Sequence, residues 1–459
     1  MALTGIVLIP VLWWFFRQKQ TKTTLTFGLV FVLVFSRGTL ELLGLSTTVL
    51  RLVFEAFFAL IFLKGVVFSK GRRLKLTPGL LPLLLFVFAS AISALVNQMG
   101  LIETILFFRD YLIVILFFYG VLNLTFTVYE KRLLDNLLIR LVAVQVGASL
   151  VKYMVLQSIS EPYIGTMANL GGSLTVILSL IGVSYCLSNY FVFRERKYVI
   201  WVLGFIIFSL IGNKRASIVL FPFIFLFLSY MFQKRFEAFE YRTVKRVLLI
   251  LILSVGSLYF SIRIMPSLNK ERQVWGSFDL EYAMDYSQKY VSTGAGEIEY
   301  VGRLGAPTHV FSVLQSDGLL NFSLGHGAGH LIKSKYNSNI GKGGSQQDLT
   351  ESLYGVGYGA RTAFLQLLLQ VGFAGLGFYV LMIVQIFRFS KRFLNRKLSQ
   401  LKERRDYVFF SGLWVVFVID FFGYSVTMVQ ISAVSLLFFW FLATQYPVPS
   451  YNVIDAEKN

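Results

Sequence analysis

Long apolar runs separated by short polar connections set the pattern of this chain. About 20 consecutive apolar residues are enough to cross a bilayer as a helix, whose backbone hydrogen bonds are satisfied internally. The pattern predicts about thirteen such spans. Their limits fall near 2–16, 25–43, 48–68, 79–97, 104–125, 137–157, 171–191, 198–212, 216–232, 247–262, 361–387, 407–423 and 425–444. The first run is short and the second carries Arg37 and Glu41, which marks both as tilted or re-entrant. The N-terminus lacks a basic leader and a small-residue cleavage site, and is expected to be a retained span. One segment breaks the rhythm: residues 263–360 are polar and glycine-containing, too long for a connector, and read as a functional loop or small domain. Within it THVFSVLQSDGLL has helical character, and SLGHGAGH and NIGKGGS look flexible. The expected organisation is an N-terminal helix bundle (1–262), a large loop (263–360), C-terminal helices (361–444) and a tail (445–459). No solenoid repeat or pair of symmetric halves is visible.

Composition agrees with this reading. The 459 residues are 56% hydrophobic and only 15% charged, where soluble domains carry about 25% charged residues. The net charge of +19 raises the question of nucleic acid, and the placement of the charge answers it. Six alternate connections (RQKQTKTT, KGVVFSKGRRLKL, VYEKRLLDNLLIR, FRERK, QKRFEAFEYRTVKR and RFSKRFLNRKLSQLKERR), with Lys458, hold 28 of the 43 Lys and Arg. That alternation puts these connections on the cytoplasmic side, the N-terminus and the large loop outside, and the C-terminus inside. Anionic lipid and insertion bias account for the excess, and no nucleic-acid partner is implied. The single cysteine, Cys186, excludes an internal disulfide.

Basic residues on the side that should lack them carry the chemical interest. Lys214 and Arg215 lie in the short turn GNKRAS, Arg109 in FFRDYL beside Asp110, and Arg303 and Arg361 at the two ends of the folded part of the loop. Arg37 and Arg51 each have a glutamate four residues on, Glu41 and Glu55, and are expected to pair along a helix. An outward-facing set of cations suits an anionic headgroup, and the guanidinium fork suits phosphate oxygens. All three histidines, His309, His326 and His330, fall in the loop. HGAGH has a metal-like spacing, but its glycines disfavour the helix that would aim both rings at one ion, and no metal is expected. His326 is the leading candidate for a general base, with His330 and Asp110 behind it. Asp420 near the outer end of its span reads as a partner for an arginine. GKGGS departs from the phosphate-binding loop pattern, and the sequon at Asn321 reads as chance.

Four segments in order resemble the bacterial O-antigen polymerase (Wzy-type) and O-antigen ligase superfamily. They are FFRDYL, GTMANLGGSLTVILSL, GNKRASIVLFP, and the loop from GRLGAPTHVF through LGHGAGH to RTAFLQLLLQVGFAGLGFYVLM, spanning roughly 105–388. The resemblance implies an all-α, GT-C-like polytopic glycosyltransferase of the bacterial inner membrane with its active site in the periplasm. It implies undecaprenyl-diphosphate-linked glycans as donor and acceptor, no cofactor, and a flippase and a chain-length regulator as partners. Arg215 and Arg303 would hold the diphosphate, assisted by Lys214, Arg109 and Arg361. Ligases place a histidine where the loop re-enters the membrane; here the sequence is GARTAF, which weakens the ligase alternative. A lipid-linked oligosaccharide flippase is the rival from another class, and should show polar residues along a full transmembrane path.

Overall fold

The computed structural model describes residues 20–68, 78–156, 165–167, 173–212, 216–236, 252, 255–256, 258–293, 301–334, 346–348, 350–357, 360–395, 401–424 and 426–445. It is a helical protein. In chain order the elements are α1 Gln20–Phe35, α2 Arg37–Leu42, α3 Thr47–Phe62, α4 Leu80–Val96, α5 Leu101–Asn123, α6 Val128–Leu156, α7 Ser173–Phe193, α8 Lys197–Ile211 and α9 Ala216–Phe236. The large loop contributes α10 Leu280–Thr293, α11 Ala306–Ser316, α12 Leu319–Leu324 and α13 Thr350–Tyr354. It also holds an antiparallel pair, β1 Ile332–Ser334 and β2 Gln346–Asp348, with Lys333 opposite Gln347. The chain then forms α14 Ala363–Asn395, α15 Leu401–Val418 and α16 Ala433–Thr444.

Among the described residues, six helices are long and apolar enough to cross a membrane: those in α5, α6, α7, α9, α14 and α15. Four shorter apolar helices accompany them, within α1, α4, α8 and α16. The expected span at 2–16 lies outside the described residues, as does most of 247–262. The expected span at 25–43 is in fact broken: α1 ends at Phe35, and Arg37 begins a separate short helix. The last expected span is also shorter, because residues 426–432 form turns before α16 starts under a capping box of Ser432 and Ser435.

The lateral surface is that of a membrane-embedded bundle. On α4, Leu81, Leu84, Phe88 and Leu95 are exposed, while Leu83, Phe86, Ser90 and Ala94 are buried against neighbours. An apolar stripe at helical spacing facing outward would drive aggregation in water, and lipid is the solvent that suits it. Inside, aromatic rings fill the gaps between helices. Trp440 meets Phe27, Phe31 and Phe126 with ring centroids 5.5, 5.3 and 5.3 Å apart, tying α16 to α1 and to the entry of α6. Each such pair adds about 0.5–1.5 kcal/mol beyond its buried area.

Chain direction gives the bundle two ends. α14 leaves the loop and runs to the basic segment near Asn395, α15 returns from Leu401, and α16 runs back to Thr444. The described part of the large loop meets α14 near Leu369 and Gln370, while Arg392 lies in the last turn at the far end of that helix.

Candidate active site

The loop is anchored by backbone rather than by side chains. α14 is interrupted at Gly372, where φ is +59° and ψ is −167°. Beside this break the Leu369 and Gln370 carbonyls accept hydrogen bonds from the amides of His326 and Gly327, at 2.9 and 3.1 Å. Gln370 Oε1 also accepts from the Gly329 amide at 3.2 Å. From α4, Asn97 Nδ2 donates to the Gly325 carbonyl at 3.1 Å, and the Ser93 hydroxyl lies 2.5 Å from the Leu324 carbonyl. Contacts this close need residues without side chains. A Cβ on Gly325, whose φ is +72°, would stand 2.5 Å from the Gln370 carbonyl carbon. SLGHGAGH, expected to be flexible, is therefore fitted between α4, α5 and the interruption in α14. Its glycines serve close approach, which explains why the spacing resembles a metal motif. Among the described residues no group of three or more His, Cys, Asp and Glu could hold a metal ion.

This anchoring brings all three histidines of the chain onto one tyrosine. His309, on α11, meets the Tyr354 carbonyl through Nε2 at 3.0 Å. The Tyr354 hydroxyl lies 3.0 Å from His326 Nδ1 and 2.9 Å from His330 Nε2. His326 Nε2 lies 2.7 Å from Asp317 Oδ2, in the turn between α11 and α12. The chemistry of the groups gives this chain a direction. An ionised carboxylate only accepts, so His326 donates from Nε2 to Asp317 and, when neutral, keeps Nδ1 as an acceptor. The tyrosine hydroxyl then donates to His326 Nδ1, and its oxygen accepts from His330 Nε2–H. His326 has both ring nitrogens committed. No described residue occupies Nδ1 of His330, which leaves His330 the ring with a free lone pair.

Burial, aided by the neighbouring His326, holds the His330 pKa below its ordinary value of 6.5. Burial, and then the Asp317 charge, push the Tyr354 phenol up. At neutral pH the pair is thus a neutral imidazole beside a protonated phenol. The unfolded chain takes up a proton at His330 before the folded one does. The associated stability is present above pH 6.5 and is lost as acidification proceeds below it. Acid titration is expected to expose the loop before the bundle opens, read as proteolytic cleavage within 301–357 starting below pH 6.5. In a His330→Gln variant that onset should disappear.

The arginines are placed in two groups. Arg109 and Asp110, on α5, meet Arg51 and Glu55, on α3. Arg51 Nε pairs with Glu55 at 2.8 Å and its Nη2 reaches Asp110; Arg109 pairs with Glu55 at 3.4 Å and with Asp110 at 3.2 Å. The expected i,i+4 pairs are both present, Arg37–Glu41 at 2.8 Å and Arg51–Glu55. What the sequence did not indicate is that the second pair joins Arg109 and Asp110 across two helices. Asp110 is 5% exposed and shared by two guanidiniums. Seven residues separate it from Glu103, whose backbone contacts Gly329; at about 1.5 Å per residue it lies roughly 10 Å deeper along α5 than the loop.

The second group belongs to the loop. Arg361 pairs with Glu351 at 2.6 Å, one turn before Tyr354 on α13. Arg303 follows a backbone bridge between Val301 and Val356, and its guanidinium lies 4.8 Å above the ring of Tyr424. Tyr424 ends a π-helical turn, Ile419–Tyr424, that continues α15. Asp420 in that turn is fully buried and accepts from the Thr427 hydroxyl and the Met428 amide, both at 2.7 Å. Lys214 and Arg215 lie outside the described residues, as does the GKGGS segment. Sequence reasoning missed Asp317 and Tyr354. The only signal for the former was SDG at the end of a helical pattern, nine residues before His326; the latter had none.

No protein-family model matches the chain, and no curated protein matches it in sequence. The fold and the site therefore stand on the residues themselves: a helical, membrane-embedded protein with a folded loop that closes one end of the bundle over a histidine–tyrosine cluster.

Proposed function

We propose that this protein is a membrane glycosyltransferase that polymerises undecaprenyl-diphosphate-linked repeat units into O-antigen, capsule or exopolysaccharide at the outer face of the bacterial inner membrane. The observation that carries the reading is the convergence of His326 and His330 on the Tyr354 hydroxyl, with Asp317 behind His326, held against the membrane helices by the loop backbone. Thirteen crossings and a GT-C-like arrangement, with the loop in the periplasm, go with this proposal, as does the ordered resemblance of four segments to the polymerase and ligase superfamily.

In the proposed step a hydroxyl of the acceptor sugar attacks the anomeric carbon of the donor glycan. The new carbon–oxygen bond forms as the bond from that carbon to the diphosphate oxygen breaks, and the acceptor proton passes to His330 Nδ1. Nε2–H of the resulting imidazolium stays hydrogen-bonded to Tyr354, so the positive charge is shared along the line that ends at the Asp317 carboxylate. Undecaprenyl diphosphate leaves with its bonding electrons, and cations near it stabilise the developing charge. Arg303, over the Tyr424 ring, is our candidate among the described residues, with Arg215 and Lys214 as further candidates from the sequence. Arg109 and Arg361 act within their ion pairs, orienting the walls of the site.

The test is reconstitution of the purified protein in liposomes with a lipid-diphosphate-linked repeat unit. The expected products are glycans of two or more units still on lipid, with undecaprenyl diphosphate released in equal amount to the bonds formed. Transfer only to a lipid A core acceptor would replace the polymerase reading with the ligase. Movement of intact substrate between leaflets without bond formation would replace both with a transporter.

A further inference from the structure

At the end of the bundle opposite the loop, a small pocket of about 60 Å³ opens between α6, α7, α15 and α16. Its polar wall carries Lys131, Arg132, Lys402 and Arg405 against two acids, Asp135 and Asp406. The acids are already engaged. Asp135 Oδ2 pairs with Lys131 at 2.9 Å, and its Oδ1 accepts from the Trp440 indole at 2.8 Å. Asp406 pairs with Arg405, whose guanidinium also lies 5.8 Å from the centre of the Tyr185 ring. Arg132 and Lys402 make no ion pair within 4 Å among the described residues, and Lys402 lies within electrostatic reach of Asp406 as well as of Lys131, Arg132 and Arg405. Four cations thus face two acids, a net charge of +2 on the lining. The rest of the wall mixes the apolar Ile139, Phe409 and Phe441 with Asn136, Tyr185 and Gln445.

From Lys402 to Tyr424 there are 22 residues along one continuous helical stretch, about 33 Å at 1.5 Å per residue. That is close to the hydrocarbon thickness of a bilayer, so the cavity lies at the opposite membrane surface from the loop. A lining of net charge +2 that also presents Ile139, Phe409 and Phe441, at a bilayer surface, matches a molecule with phosphate at one end and acyl chains at the other. Basic pockets between membrane helices on this kind of surface hold anionic headgroups.

We infer that this cavity is a binding site for the phosphate of an anionic phospholipid, and that a headgroup with two phosphates fits its charge best. The site is independent of the glycosyl-transfer proposal and stands or falls without it.

The test uses the full-length protein in nanodiscs of phosphatidylcholine containing increasing cardiolipin, with binding read by native mass spectrometry and by the rise in apparent melting temperature. Wild-type protein should retain cardiolipin through purification. A double variant, Arg132→Gln with Lys402→Gln, should bind it roughly 30-fold more weakly, as expected for losing two cations near a lipid surface. Arg132→Lys with Lys402→Arg keeps the charge and should keep the lipid, which separates charge from folding. Inorganic phosphate and pyrophosphate are added in parallel up to millimolar concentration. Equal stabilisation by these soluble ions without lipid would overturn the assignment to a phospholipid. Equal cardiolipin retention by wild type and the glutamine variant would overturn the site.

Discussion

Tyr354→Phe is expected to lower polymer formation by about 10²- to 10⁴-fold, the usual range for removing a participant in general acid–base catalysis, with protein level unchanged. The reasoning rests on one oxygen atom. Phenylalanine keeps the ring that packs near His326 and His330, with centroids 5.6 and 6.0 Å away, and keeps the carbonyl held by His309. It removes the hydroxyl that joins the two imidazoles. Without it, His330 loses the acceptor for Nε2–H and His326 loses the donor to Nδ1. The tautomer of each ring is then unconstrained. The measurement is turnover against pH in the reconstituted system. The variant should lose rate at all pH values, while His330→Ala should lose the acidic limb as well. Turnover within twofold of wild type in Tyr354→Phe would remove the relay from the mechanism.

Gly372→Ala should be the most damaging substitution in α14 for its size. In an ordinary helix, replacing glycine with alanine stabilises by about 0.5–1 kcal/mol. At Gly372 the backbone adopts φ +59° and ψ −167°, a region closed to residues with a Cβ at a cost of about 1–3 kcal/mol. The added atom would also stand 2.5 Å from the Gly325 amide nitrogen and 2.5 Å from the Ser323 carbonyl carbon, both backbone atoms that cannot rotate away. Either the interruption straightens or the loop lifts. Both outcomes separate His326 and Gly327 from the carbonyls they bond. A loss of at least about 3 kcal/mol is expected, near the upper end for single substitutions, read as a lowered melting temperature and as new proteolytic cleavage near 323–330. Gly377, five residues on, is the internal control. A Cβ there meets nothing within 4 Å, so Gly377→Ala should be neutral or mildly stabilising. If the two variants melt alike, the interruption has no role in seating the loop.

These two residues show what the sequence made legible and what it did not. Apolar runs located the helices well, because burial in lipid imposes a length that any reader of the chain can see. The spans expected at 79–97 and 171–191 correspond to Leu80–Val96 and Ser173–Phe193. The pattern was blind to interruptions. Gly372 lies within the run expected as one span, 361–387, and nothing in its neighbours announces a change of backbone sign. Likewise, Ser36 gives no warning that α1 stops there. The histidines were legible as chemistry, since ionisable rings in a single loop invite attention. Their arrangement was not: which ring keeps a lone pair depends on Asp317 and Tyr354, residues whose local sequence is ordinary. Pairing along one helix, as in Arg37–Glu41, follows from spacing. Pairing between helices, as with Arg51 and Asp110, depends on packing that spacing does not encode.

The seating of the loop also constrains how the protein is made. Ser93 and Asn97 leave the ribosome long before His326, and Leu369 and Gln370 follow after it. A nascent chain that has made its loop must therefore keep that segment waiting until the helix that receives it has been delivered to the bilayer. The histidine cluster takes shape only after α14 has been made, so a shorter nascent chain holds His326 without the Leu369 carbonyl that seats it.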